Sequence, residues 1–300
     1  MKKIRIATRK SELALWQARH VGSLLSQGDN ELDVEIVGYT TEGDIRQHEP
    51  LDDVGGKGLF TRELERALFE QQVDLAVHSM KDVPAILSES FDVVVAGERA
   101  DVRDALVGAD SFLVLPKGSR VGSSSGRRAA QLVRQNQDLH VVPIRGNVGT
   151  RLAKLRRGEF DALILACAGL DRLGLAAEVG QRLDVDFCVP AAGQGALAVE
   201  FLSGREDIAT VAASLRIDRV ATAVETERLV VKRLGADCTM PLGVYCHQLD
   251  SGYHLTAVLL TETGDRCLRV EKRAEDGGDL AEDVAETLLA MGARELIDNV

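Results

Sequence analysis

Short apolar strands alternate with amphipathic helices through the first two-thirds of this chain, and that alternation limits its fold more than any other feature. "KIRIA" and "LDVEIVGY" are β-branched runs enclosing a helical stretch that Ser11 can cap and that stops near Gly28. "TRELERALFEQ" reads as a second helix, with Thr61 as its cap and Leu64, Ala67 and Leu68 on one face. "DLAVHSM" and "FDVVVAG" are short apolar strands. A βαβ series of this kind predicts a parallel sheet covered by helices on both faces.

The alternation restarts after "ERADVRDALVG". "RVGSSSGRRAAQLVRQ" and "HVVPIRGNVGTRLAKLRRG" each read as strand, loop and helix, and "FDALILACAG" is a further buried strand. "VPAAGQGALAVEF" is then the return crossing. From about Asp218 a long amphipathic helix leads to "ADCTMPLG", three strand-like runs and a final helix, which suggests a small α+β domain. The expected organisation is two α/β lobes, residues 1–97 with 196–215 and residues 101–190, followed by a third domain at 218–300. Crossing segments near Glu98 and Gly193 should leave a cleft between the lobes, the usual place for a ligand.

Composition narrows the function. A net charge of −11 over 300 residues argues against a general nucleic-acid binder. No apolar run reaches the ~20 residues that span a bilayer, and the amino terminus has no uninterrupted apolar stretch behind its lysines, so the expected location is the cytoplasm. The cysteines (Cys167, Cys188, Cys238, Cys246, Cys267) are odd in number and form no C-x-x-C, and the histidines are scattered, so neither a disulfide framework nor a metal cluster is expected.

Chemistry gathers where strands end. "HSMKD" sets Lys81 beside Asp82; "TRKS" places Arg9 and Ser11 at a strand–helix junction. "GSSSGRR" supplies Ser125, Arg127 and Arg128, "IRGNVGTR" supplies Arg145 and Arg151, and "GLDRLG" supplies Arg172. Each alone is best read as a surface arginine or an ordinary cap. Together they form a set. Cations in a helix's first turn oppose its dipole, and a bound anion supplies a reason for them. Guanidinium forks suit carboxylates and phosphates alike. "DVGGKGLF" fails the P-loop pattern, because Leu51 stands at its first glycine and Gly58 follows Lys57, so polycarboxylate is favoured over nucleotide. Cys238, between Gly235 and Pro241, lies in a loop where cations would favour its thiolate, a candidate covalent attachment point, whereas Cys167 in "LILACAG" suits a buried hydrophobe.

Eight segments in order, "RIATRKSELALWQ", "GGKGLFTRELE", "VHSMKDVP", "GSSSGRRAAQL", "RGNVGTRLAKL", "AGLDRLGL", "PAAGQGALAVE" and "DCTMPLG", closely resemble the porphobilinogen deaminase (hydroxymethylbilane synthase) family. The resemblance implies two lobes like those of periplasmic binding proteins plus a small third domain with a three-stranded antiparallel sheet. It implies condensation of four porphobilinogen units into a linear tetrapyrrole with release of ammonia. It also implies a dipyrromethane cofactor on a thioether, here at Cys238, and a catalytic aspartate, here Asp82. Arg9, Ser11, Lys81, Ser125, Arg127, Arg128, Arg145, Arg151 and Arg172 match positions that hold cofactor and substrate carboxylates, with Lys57, Phe60, Ser79, Arg99 and Gly146 in support. Neither metal, nucleic acid nor membrane enters this picture, and the expected state is a monomer.

Three positions depart from the family pattern: Glu12, Gly126 and Asp237. None removes a group that the chemistry needs, although Asp237 sets a negative charge beside Cys238 and should raise its pKa. A bilobal receptor for an organic anion shares the expected fold, but it predicts a secretion signal or a DNA-binding segment and needs neither Asp82 nor Cys238. A phosphate-handling transferase predicts a P-loop and a metal carboxylate cluster.

Overall fold

The computed structural model describes residues 2–29, 31–45, 61–236 and 240–298. The chain divides into two compact units, Met1–Arg99 with Ala196–Ala221, and Ala100–Gly195 with Thr222–Val300.

In the first unit β1 (Lys2–Arg9) leads to α1 (Glu12–Gly28), β2 (Leu32–Tyr39), the single turn α2 (Glu42–Ile45), α3 (Arg62–Phe69), β3 (Leu75–Ser79) and β4 (Phe91–Ala96). The chain later returns as β10 (Leu197–Leu202) and α7 (Glu206–Ala213). Ser11 caps α1 by accepting from Ala14 N at 3.3 Å, and Ala14, Ala18, Val21 and Leu25 form its buried stripe. The two-residue period of β1 sends Ile4 and Ile6 to a core with α1 and α7, and Ala7 to a second core with Leu64, Ala67 and Leu68 of α3. Helices therefore cover both faces, as expected.

The sheet itself is mixed. Its order is β2-β1-β3-β10-β4, and β10 runs antiparallel to both neighbours. The βαβ rhythm could not reveal this, because β10 arrives from a crossing segment and needs no crossover helix to pair antiparallel. Thr61 also differs from expectation: it occupies the cap position of α3, but its hydroxyl makes no capping bond and, among the described residues, is buried without a partner.

The second unit repeats the scheme. Its sheet contains β5 (Asp104–Val107), β6 (Arg120–Gly122), β7 (His140–Val142), β8 (Ala162–Ala166) and β9 (Val179–Leu183), in the order β7-β6-β8-β5-β9. Here β6 is parallel to β7 and β8, while β5 is antiparallel to β8 and β9. In both sheets the antiparallel strand is the one that follows a crossing. Helices α4 (Gly126–Gln135), α5 (Val148–Arg156) and α6 (Cys167–Arg172) connect the strands. Leu163 and Leu165 face one core, Ala162 and Ile164 the other.

Helix α8 (Asp218–Leu234) carries the chain onward to a meander of β11 (Leu242–Gln248), β12 (Tyr253–Leu260) and β13 (Cys267–Ala274), then α9 (Gly277–Ala290) and α10 (Ala293–Asp298). One face of this three-stranded antiparallel sheet buries Val244, Leu255 and Ala257 against Val284, Leu288 and Leu296. On the other, Val258 and Leu260 pack on Ala130 of α4 and on Val189.

Candidate active site

In the first unit β1 and β3 are parallel neighbours, with Ile6 opposite Leu75, so their carboxyl ends emerge at the same end of the sheet. Arg9 ends β1 and Ser11 caps the following helix; Ser79 ends β3, and Lys81 and Asp82 follow in a 3-10 turn, Met80–Asp82. Gln17 of α1 donates to Ser79 Oγ at 2.8 Å and ties the two junctions together. The turn is anchored by Met80, whose side chain is buried and whose N–H donates to Ala196 O at 3.1 Å. A buried anchor at the first position leaves Lys81 half-buried and the Asp82 side chain in solvent. Arg9 and Arg99 are both half-buried.

In the second unit the parallel strands β6, β7 and β8 likewise deliver their following loops to one end. Ser125 caps α4, accepting from Arg128 N at 3.4 Å. Ser124 Oγ donates to Ile144 O at 2.6 Å and accepts from Ile144 N at 2.9 Å, joining the ends of β6 and β7. Gly146 has φ of +108°, and a Cβ there would sit 2.7 Å from Thr150, so the turn between Arg145 and α5 requires glycine. Arg151 Nε donates to the Gly146 carbonyl at 2.8 Å. Among the described residues the Arg145 guanidinium has no hydrogen bond or ion pair. Arg172, the last residue of α6, donates Nη2 to Gly195 O at 2.7 Å, and burial lowers its pKa to about 10. A cation desolvated to that degree gains from an approaching carboxylate.

Arg127 and Arg128 sit deeper than the rest of the arginine set. Both are buried against Asp104, a residue outside the expected carboxylate-binding set. Arg127 Nη2 donates to Asp104 Oδ2 at 2.8 Å; Arg128 Nε and Nη2 donate to Oδ1 at 3.0 and 2.7 Å. The anion that two arginines at a helix N-terminus called for is in part supplied by the protein. Burial alone would raise the Asp104 pKa, yet the two guanidiniums hold it well below the usual carboxylate range.

His78, Glu200 and Glu227 are also buried and lie outside the expected set. His78 Nε2 lies 3.0 Å from Glu200 Oε2, joining β3 to β10 in the strand that leads into the Lys81–Asp82 turn. Glu227 of α8 accepts from Gly193 N and Cys246 N. The available signal was a lone charge inside an otherwise apolar strand, as in "DALV" and "LAVEFL". Lys57, Phe60, Asp237 and Cys238 lie outside the described residues.

The family model described as "Porphobilinogen deaminase, dipyromethane cofactor binding domain" matches residues 4–210, and "Porphobilinogen deaminase, C-terminal domain" matches residues 221–290. The chain belongs to the porphobilinogen deaminase family. A porphobilinogen deaminase from Thiobacillus denitrificans is 46% identical over 302 residues, 99% of each chain. One from Paraburkholderia phymatum is 46% identical over 299 residues, 97% of this chain and 91% of that one. Among solved structures, the periplasmic aliphatic sulphonate binding protein SsuA from Escherichia coli gives a TM-score of 0.43 at 14% identity, covering 97% of this chain and 87% of that chain. The VFT2 domain of Bordetella pertussis BvgS gives 0.44 at 15% identity, covering 71% and 86%.

Dipyrromethane, the cofactor named in the first matching model, carries carboxylate side chains, and the second unit fits such a group on its own chemistry. Among the described residues, Arg127 and Arg128 bring two positive charges against the single carboxylate of Asp104, and Arg127 Nε is buried with no partner. Burial pushes the nearby Cys188 thiol up to about 12, so it stays neutral and does not cancel the surplus. A buried cation in excess, with a donor to spare, calls for an anion.

Proposed function

We propose that Asp82 is the catalytic carboxylate of a hydroxymethylbilane synthase and that Cys238 anchors its dipyrromethane through a thioether. The activity is that of the family, a transferase of tetrapyrrole biosynthesis: four porphobilinogen molecules join head to tail and four molecules of ammonia leave. The observation that carries the assignment is an exposed carboxylate on a turn whose base is a buried methionine, at the carboxyl end of a parallel strand.

When bound, the cofactor supplies the pyrrole ring that accepts the first unit. As the C–N bond of the substrate's protonated aminomethyl group breaks, its electron pair leaves with nitrogen and the methylene-pyrrole becomes a cation. Asp82 beside the ring N–H stabilises that charge as it develops, an effect often worth several kcal/mol. The proton that the accepting ring carbon would give up replaces the one that had protonated the amine and left in ammonia. Asp82 is suited to move it. Arg9, Lys81, Arg99, Arg145, Arg151 and Arg172, with Ser11, Ser79 and Ser125, hold the acetate and propionate groups, and Gly146 shapes the turn that presents Arg145. Arg127 and Arg128 add their surplus charge from within. Lys57 and Phe60 belong to the same proposal.

The reading includes residues 218–300 as the domain that bears the cysteine, and a monomer working in the cytoplasm. Intact mass is the decisive measurement. Wild-type protein should carry the mass of two linked pyrroles, Cys238→Ser should not, and Asp82→Asn should keep the adduct but lose turnover. An unmodified wild-type chain that binds porphobilinogen reversibly would instead make this an anion receptor.

A further inference from the structure

Asp104 is a heavily engaged buried charge in the second unit. Its side chain is fully buried at the first residue of β5, and four side chains converge on it. Besides the two arginines, Gln194 Nε2 donates to Oδ1 at 2.9 Å, and Cys188 Sγ lies 3.5 Å from Oδ2. Gln194 Nε2 also donates to Val102 O at 2.7 Å, just ahead of β5. Arg127 Nη1 donates to Val189 O at 2.6 Å, and Gln131 of α4 accepts from Val189 N and donates to its carbonyl. Asp104 thus sits where β5, α4 and residues 188–194 meet.

Two roles are open to such a carboxylate, and they have opposite consequences. As a charge, it weakens the field that Arg127 and Arg128 offer to an anion. As a brace, it fixes both guanidinium planes, and a fixed fork binds a carboxylate with less loss of rotamer freedom than a loose one. The geometry points to the brace. Oδ1 takes two donors from Arg128 and one from Gln194, so the guanidinium of Arg128 cannot rotate without breaking a pair of bonds. The carbonyl of Ile164 receives its remaining nitrogen at 3.3 Å.

We propose that Asp104 is a positioning residue for the reaction, holding Arg127 and Arg128 in the orientation from which their surplus positive charge receives a substrate or cofactor carboxylate. This rests on the reading of the chain as a hydroxymethylbilane synthase with a carboxylate-binding arginine set. The test is steady-state kinetics on the holoenzyme of Asp104→Asn, with thermal melting run in parallel. Bracing predicts that KM for porphobilinogen rises about ten-fold, although the substitution makes the site more positive. A KM that falls means Asp104 acts only as a charge. An unchanged KM with less active protein means that it only supports the fold. Either result overturns the proposal.

Should Asp104→Asn not fold, Gln194→Leu decides, because it removes one donor from Asp104 without changing any charge. Its KM should rise about three-fold, and an unchanged KM overturns the proposal. Asp82→Asn, measured alongside, separates this inference from its foundation. Lost turnover there with an unmoved KM in the Asp104 variant sinks only the brace, whereas retained turnover sinks the assignment beneath it.

Discussion

Glu227 offers the sharpest test of how the second unit is held together. Its carboxylate is fully buried on α8 and accepts from Gly193 N at 2.7 Å through Oε2 and from Cys246 N at 2.8 Å through Oε1. Cys246 belongs to β11, which among the described residues is an edge strand, so its outward N–H groups have no neighbouring strand to pair with there. In Glu227→Gln the amide oxygen can serve one N–H, while the amide nitrogen faces the other, donor against donor. Losing the charge on the first bond costs about 1 kcal/mol, and leaving the second N–H buried and unpaired costs about 2 kcal/mol more. The expected loss is therefore about 3 kcal/mol, read from urea titration as a lower midpoint at unchanged slope. Calorimetry should show a fall in Tm of about 5 to 8 °C, the larger value if this unit melts separately. Glu286→Gln, at an exposed position of α9, is the control and should stay within about 0.5 kcal/mol of wild type. If Glu227→Gln is equally silent, the carboxylate is not joining helix, strand and segment as the hydrogen bonds imply.

Two further outcomes are expected. Gly146→Ala forces a side chain into the left-handed region and into Thr150, so it should cost about 1 to 3 kcal/mol in thermal unfolding and raise KM by displacing Arg145 and Arg151; wild-type values for both would show that the turn tolerates a Cβ. Burial raises the pKa of Asp101, but hydrogen bonds from Arg103 and Arg182 outweigh it and bring the value down to about 2. Because this folded-state pKa lies below the unfolded one, the contribution of Asp101 is complete above about pH 4 and drains away as pH falls toward 2. Urea midpoints at pH 5 and pH 3 should therefore converge in Asp101→Asn relative to wild type, and an equal drop in both proteins would contradict the assignment.

The elements that carry the candidate residues were legible because they are local. A strand, its cap and the following helix occur within a dozen residues of one another, so the helix starts at Ser11 and Ser125 and the turn at Lys81–Asp82 could be located from residue type and spacing, whereas Gly146 came from the family resemblance. The helix over residues 12–28 and the strand over residues 32–39 follow from hydrophobic period and capping alone. The resemblance in eight ordered segments carried the family, and the matching family models bear it out.

What the chain's order of residues determined, then, is the set of elements, the family and the chemical character of the groups at the strand ends. What only the tertiary structure decided is which charges meet. Asp104 finds Arg127 across 23 positions, and His78 finds Glu200 across 122. The antiparallel course of β10 is another long-range choice, since it pairs with strands formed more than a hundred residues earlier. Pairing at such separations depends on which backbone surfaces are buried together, and no local propensity encodes that. Arginines that read one by one as surface residues become partners of a buried carboxylate once water has been excluded around them.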